Sequence, residues 1–154
     1  MATQEFSQSL PMMLYRALDT VMPRFRKIFN EFGLTEQQWR VLRVLWEHGE
    51  VAFNELSAAT LIPAPSLVGV VDRLTKNGLV ERRRSDSDRR KVAVLATHKG
   101  KDLEGKVTPR VNAAYAELRD AMDAQEWQQL IDGLERVASM ERSPEQEMQT
   151  VINQ

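Results

Sequence analysis

Residues 65–96 read PSLVGVVDRLTKNGLVERRRSDSDRRKVAVLA, and this stretch decides the fold. In its first third Leu67, Val70, Val71 and Leu74 recur at helical spacing, leaving Ser66, Val68, Gly69, Arg73 and Lys76 on the opposite face. Pro65 suits the start of such a helix, because its fixed φ is already helical and its missing N–H is one a first turn leaves unbonded. Asn77 and Gly78 stop it. Beyond the stop, Leu79 to Arg84 and Lys91 to Ala96 have β-type composition and flank the polar run Ser85-Asp86-Ser87-Asp88-Arg89-Arg90. That pattern predicts a hairpin with a charged tip.

Immediately upstream, Val51, Ala52 and Phe53 read as a brief strand. Asn54 is expected to cap a small helix that carries Leu56, Ala59 and Leu61 inward, and Ile62 to Ala64 form a turn. Two helices separated by a tight turn make a helix-turn-helix, and the hairpin after them makes it winged. The flanks are helical. From Leu10 to Phe32 the apolar period predicts a long helix with Pro11 in its first turn, a bend at Pro23 and Gly33 as its cap. Thr35 with Gln38 forms a capping box before a helix whose stripe is Trp39, Val41, Leu42, Leu45 and Trp46. After the hairpin, Thr97 caps a helix through Leu103, Val107, Val111, Tyr115 and Leu118, with Pro109 inside it. Asp123 and Glu126 open a last helix carrying Trp127, Leu130, Ile131, Leu134 and Val137.

The expected fold is therefore mostly α with a small β-hairpin, a single unit of 154 residues. Residues 34–97 form the winged lobe, 8–33 and 98–142 a helical dimerisation region, and 143–154 a polar tail that frays. A composition of 42% hydrophobic and 28% charged residues fits one compact domain. The net charge of -1 hides an uneven distribution. Between Ala64 and Gly100 nine Lys and Arg stand against four Asp and Glu, whereas from Leu103 to Gln154 there are five against ten. A basic middle is what phosphate recognition requires.

The chain has no cysteine, which excludes disulfides, thiolate zinc sites and thiol redox sensing. His48 and His98 have no ligand-like spacing around them, so neither a metal nor a cofactor is expected. No glycine-rich phosphate loop, His–carboxylate cluster or paired acids in a cleft point to an enzyme. With no signal peptide and no long apolar run, the expected location is the cytoplasm.

Two sets of residues carry a resemblance. The run Val71-Asp72-Arg73-Leu74, then Asn77-Gly78-Leu79-Val80, Arg82-Arg83-Arg84 and Asp88-Arg89-Arg90, in this order of elements, resembles the MarR family of bacterial regulators over nearly the whole chain. Leu10-Pro11-Met12, Tyr15-Arg16-Ala17 and Leu34-Thr35-Glu36-Gln37-Gln38-Trp39-Arg40 are similar to the family's regulators of homoprotocatechuate and related aromatic-acid breakdown.

For double-stranded DNA as partner, the residues divide by role. Pro65, Ser66, Val68, Gly69 and Arg73 form the face that fits a major groove. Ser66 can donate to a base edge or phosphate, Val68 can pack on a thymine methyl, and Gly69 lets the backbone approach. Many relatives carry polar residues where Val68 and Gly69 stand, so no base contact is carried over to those two. Arg73 either reaches phosphate or guanine, or pairs with the wing, as Asp72 also could. Arg82, Arg83 and Arg84 are either phosphate clamps or a solvated edge strand that discourages aggregation. Arg89 or Arg90 is expected in the minor groove, where A·T-rich tracts favour a guanidinium. The resemblance implies that Asp88 pairs locally with an arginine to hold the tip.

The apolar stripes of the outer helices and the need for two readers on a pseudo-palindromic site imply a homodimer. Its interface is expected to combine Leu10 to Leu18, Trp127 to Val137 and the helix around Tyr115. For a small effector, Met12, Tyr15, Arg16, Trp39 and Arg40 combine aromatic, thioether and guanidinium groups on two helices expected to meet. Such a mixture suits an aromatic carboxylate, with Arg16 in the bidentate grip and Trp39 as a wall. The resulting expectation is a repressor of an aromatic-acid catabolic operon. The alternative is an effector-independent or architectural DNA-binding protein.

Overall fold

The structure is a computed structural model that describes residues 4–88 and 90–140. After a short 3-10 turn at Phe6–Gln8, the elements are α1 (Leu10–Glu31), α2 (Glu36–His48), β1 (Val51–Ala52), α3 (Phe53–Thr60) and α4 (Ala64–Lys76). There follow β2 (Val80–Arg84), β3 (Val92–Ala96), α5 (His98–Asp120) and α6 (Ala124–Ala138). The sheet order is β1-β3-β2, antiparallel throughout, with Val51 opposite Val94 and Val80 opposite Ala96.

The capping chemistry read from the sequence sets the helix ends. Thr35 and Gln38 exchange side-chain and backbone bonds at the start of α2, and Asp123 and Glu126 do the same for α6. Thr97 Oγ1 accepts from the Gly100 N–H at the start of α5. Gly33 closes α1 with φ +69°, a left-handed value that a side chain would resist. Pro23 and Pro109 both lie inside helices, and α1 and α5 each continue past them.

One core joins the elements. Phe25, Ile28 and Phe29 of α1 meet Val41, Leu42 and Leu45 of α2, and α4 contributes Leu67, Val70, Val71 and Leu74, all nearly inaccessible to solvent. Val107 and Val111 of α5 close the other side. Phe25 packs on Tyr115 at 4.8 Å between ring centroids, and Glu31 pairs with Arg110 at 2.6 Å, so the second half of α1 is fixed to α5. The first half of α1 is different. No residue from Leu10 to Thr20 is buried, and the same holds for every residue of α6.

Two local expectations are corrected around α3. Asn54 does not cap this helix: the chain passes directly from the β1–β3 ladder into helix at Phe53, with Ala52 at the cap position and no side-chain cap bond. Nor do Ala59 and Leu61 turn inward. The helix ends at Thr60, so its period no longer governs Leu61, whose φ of +55° swings the side chain out to 73% exposure. Thr60 and Ile62 take the buried places instead. The expected fraying of 143–154 falls outside the described residues.

Candidate nucleic-acid interface

The face of α4 opposite the core is set by the four buried residues, whose spacing leaves Pro65, Ser66, Val68, Asp72, Arg73 and Lys76 exposed. The turn before α4 is held from three sides. Ser57 Oγ donates to the Ile62 carbonyl at 2.6 Å, Thr60 Oγ1 to the Leu56 carbonyl at 2.7 Å, and Arg40 Nη1 reaches from α2 to the Thr60 carbonyl at 3.0 Å. A helix fixed so closely at its start presents its exposed face in one orientation.

The alternatives left open for Asp72 and Arg73 resolve separately. Asp72 accepts from Arg82 Nη2, which ties α4 to β2 by an ion pair. Arg73 has no carboxylate partner among the described residues and instead folds back along its own helix. A Cβ at Gly69 would stand 3.4 Å from Arg73 Nη1. Gly69 thus lies beneath the Arg73 guanidinium, at ordinary contact distance.

The hairpin stands next to α4. Leu79 N–H donates to the Leu74 carbonyl, and Thr97 N–H donates to the Leu79 carbonyl, so one residue joins the helix stop to the end of β3. Arg82 is held by Asp72, and Arg83 by Glu50 at 3.0 Å and Glu81 at 3.5 Å. Two of the three β2 arginines thus brace the wing, while Arg84 is exposed without an ion pair among the described residues. Asp88 holds the tip: its Oδ1 accepts from the Arg90 backbone N–H at 3.0 Å, and its carbonyl accepts from Lys91 N–H. A carboxylate two residues before an N–H closes such a turn locally and needs no long side chain. Arg90 is exposed at this tip, and Arg89 lies outside the described residues.

The residues expected to take an aromatic acid are not brought together within the protomer. Trp39 stacks on Phe29 at 4.7 Å, near the C-terminal end of α1. Met12, Tyr15 and Arg16 precede Phe29 by 13 residues or more, about 20 Å along a helix rising 1.5 Å per residue. The expectation that the two helices meet at these residues is corrected by that separation. Arg40 is engaged with the Thr60 carbonyl, and Glu36 pairs with Arg26 at 3.1 Å. Tyr15 is 68% exposed, Arg16 is exposed with its guanidinium against Met13, and a shallow apolar groove of about 310 Å³ runs past Leu10, Leu14, Tyr15 and Leu18.

Sequence reasoning missed three contributors. Leu61 and Pro63 flank α4 as exposed apolar groups, and nothing in the periodicity separates an exposed leucine in a turn from a buried one. Glu50, the partner of Arg83, lies 33 positions away, and only the sheet brings it near.

A short three-stranded sheet, a helix-turn-helix whose second helix is exposed along one face, and a hairpin whose Arg84 and Arg90 have no ion pair among the described residues define a winged helix-turn-helix protein. Residues 32–91 match the MarR family. The homoprotocatechuate degradative operon repressor of Escherichia coli is 32% identical, over 91% of this chain and 95% of that protein. Among solved structures, NadR in complex with 4-hydroxyphenylacetate is 33% identical, with a TM-score of 0.76 and coverage of 92% of this chain and 100% of that one. The transcriptional repressor CouR bound to a 23-mer DNA duplex is 27% identical, with a TM-score of 0.81 and coverage of 90% and 98%. The chain belongs to the MarR family of transcriptional regulators and is not an enzyme. Among the described residues no helix is long and apolar enough to cross a membrane.

Proposed function

We propose that the protein is a homodimeric repressor of an aromatic-acid catabolic operon, which binds a pseudo-palindromic operator and is released by an aromatic carboxylate. The observation that carries the DNA-binding part is the exposed face of α4 beside a wing whose Arg84 and Arg90 have no carboxylate to neutralise them among the described residues. Pro65, Ser66, Val68 and Arg73 meet the major groove, and Arg84, Arg89 and Arg90 meet phosphates or the adjacent minor groove. Residues 34–97 act as the DNA-binding lobe and residues 8–33 and 98–142 as the dimerisation region. The latter is supported by the uncovered first half of α1 and the uncovered stripe of α6.

The effector part is supported by similarity to an operon repressor of homoprotocatechuate degradation and to NadR, which was solved with 4-hydroxyphenylacetate. Since α1 of one protomer keeps Arg16 about 20 Å from the level of Trp39, the pocket is closed by α1 of the second protomer. Met12, Tyr15 and Arg16 of one subunit then face Trp39 of the other, and Arg16 takes the carboxylate. Arg40 contributes by holding the turn before α4. Effector binding shifts the dimer towards a spacing of its two α4 helices that no longer fits successive grooves.

Hydroxyphenylacetates, hydroxybenzoates and hydroxycinnamates titrated against the protein–operator complex test this directly. One of them should weaken binding by about 5- to 150-fold, the range of a coupling of about 1 to 3 kcal/mol, and Arg16→Ala should abolish the response while leaving effector-free DNA binding intact. If none weakens binding, or Arg16→Ala responds like the parent, the sensor assignment is wrong. Equal affinity for unrelated duplexes would instead favour the architectural alternative.

A further inference from the structure

We infer that the first two turns of α4 recognise thymine through its C5-methyl group, and that the operator half-site carries thymines at the positions this segment covers. The inference rests on the DNA-binding reading above and specifies its base chemistry.

Hydrogen-bonding groups are scarce along this segment. Pro63 at the cap position and Pro65 in the first turn have no N–H, and the Leu67 N–H is spent on the Pro63 carbonyl at 2.9 Å. Only the Ala64 and Ser66 N–H groups remain of the donors that a helix N-terminus ordinarily offers to phosphate. The side chains follow the same pattern. Among Pro63, Ala64, Pro65, Ser66, Val68 and Gly69, only Ser66 has a polar side chain.

Further along α4, Asp72 holds Arg82 and Thr75 Oγ1 donates to the Val71 carbonyl at 2.8 Å, while Arg73, folded back over Gly69, and Lys76 are exposed cations beyond these first two turns. Apart from Ser66, what stands out from the first two turns is apolar: Val68 is 45% exposed, and Pro63 and Pro65 are exposed before it. In the major groove the apolar feature that distinguishes one base from the other three is the thymine methyl. A surface of this kind discriminates by covering methyl groups, and each methyl removed from water contributes a factor of about four.

The test uses the full chain and a duplex chosen by the protein itself from a randomised pool. Each thymine of the selected site is replaced in turn by deoxyuridine, which lacks only the methyl group, and affinities are measured at one salt concentration. Replacement within the segment covered by α4 should weaken binding about fourfold per methyl, with no loss at thymines under the wing. Val68→Ser, at an exposed position that leaves the core untouched, should reduce that difference. Deoxyuridine sites bound as tightly as thymine sites would overturn the inference while leaving the regulator intact; Arg73 would then be the base reader. A pool that yields no preferred sequence would remove the DNA-reading function and this inference with it.

Discussion

Leu61 sits at φ +55° with its side chain 73% exposed, in a position where most turns of this kind would take glycine. A leucine there gains little from burial and strains its backbone, so Leu61→Gly should raise the stability of the folded chain by up to about 1 kcal/mol, read as a higher midpoint of urea unfolding. An unchanged or lower midpoint would mean that the exposed side chain makes a contact worth more than the strain. Its neighbours show how single residues divide labour. Asp72 and Arg73 are adjacent in sequence and both looked able to pair with the wing. Helix geometry points them about 100° apart, so that Asp72 meets Arg82 and Arg73 lies over Gly69.

Among the elements, α5 is bonded directly to the root of the wing. The Trp46 indole N–H donates to the Gly100 carbonyl at 3.0 Å, Lys99 Nζ donates to the Asn77 carbonyl at 2.8 Å, and Thr97 bonds both Gly78 and Leu79. Through these bonds α2, the end of α4, the root of the wing and the start of α5 meet at one point. A Cβ on Gly100 would fall far inside contact distance of the Leu79 carbonyl oxygen, which is backbone and cannot move aside alone. Gly100→Ala should therefore cost about 1–3 kcal/mol and displace the root of the wing. Thermal unfolding should show the loss, and DNA affinity measured well below the transition should fall as well. Gly105→Ala, on the same helix with open space around it, is the matched control: it should leave DNA affinity unchanged and raise stability by about 0.5–1 kcal/mol, the gain of alanine over glycine inside a helix.

For the molecule as a whole, the arrangement of apolar surface favours two copies. Leu130, Ile131 and Leu134 of α6 are each about 40% exposed, Leu10 and Leu18 of α1 more than half, and the stripes belong to helices whose other contacts leave them uncovered. A pair of substitutions, Leu130→Asp with Leu134→Asp, should shift sedimentation from dimer to monomer and reduce operator affinity by much more than either change could through local charge. Monomer behaviour in the parent protein would remove the dimer, and an unchanged dimer in the double variant would place the interface elsewhere.

Most of the elements, their order and the buried face of α4 are legible along the chain, because caps, glycines and apolar period act over a few residues. Thr35 with Gln38 and Asp123 with Glu126 are bonds between neighbours in the chain, and Leu67, Val70, Val71 and Leu74 needed only the helix repeat to be placed inside. Which of the arginines are occupied depends instead on packing between distant segments. Arg82, Arg83 and Arg40 find their partners 10, 33 and 20 positions away, and distances of that kind depend on how helices and strands pack, which no local pattern encodes. For the same reason the separation of Met12, Tyr15 and Arg16 from Trp39 was invisible in the sequence: residue types record which chemistry is available, and the length of α1 decides whether one chain can assemble it.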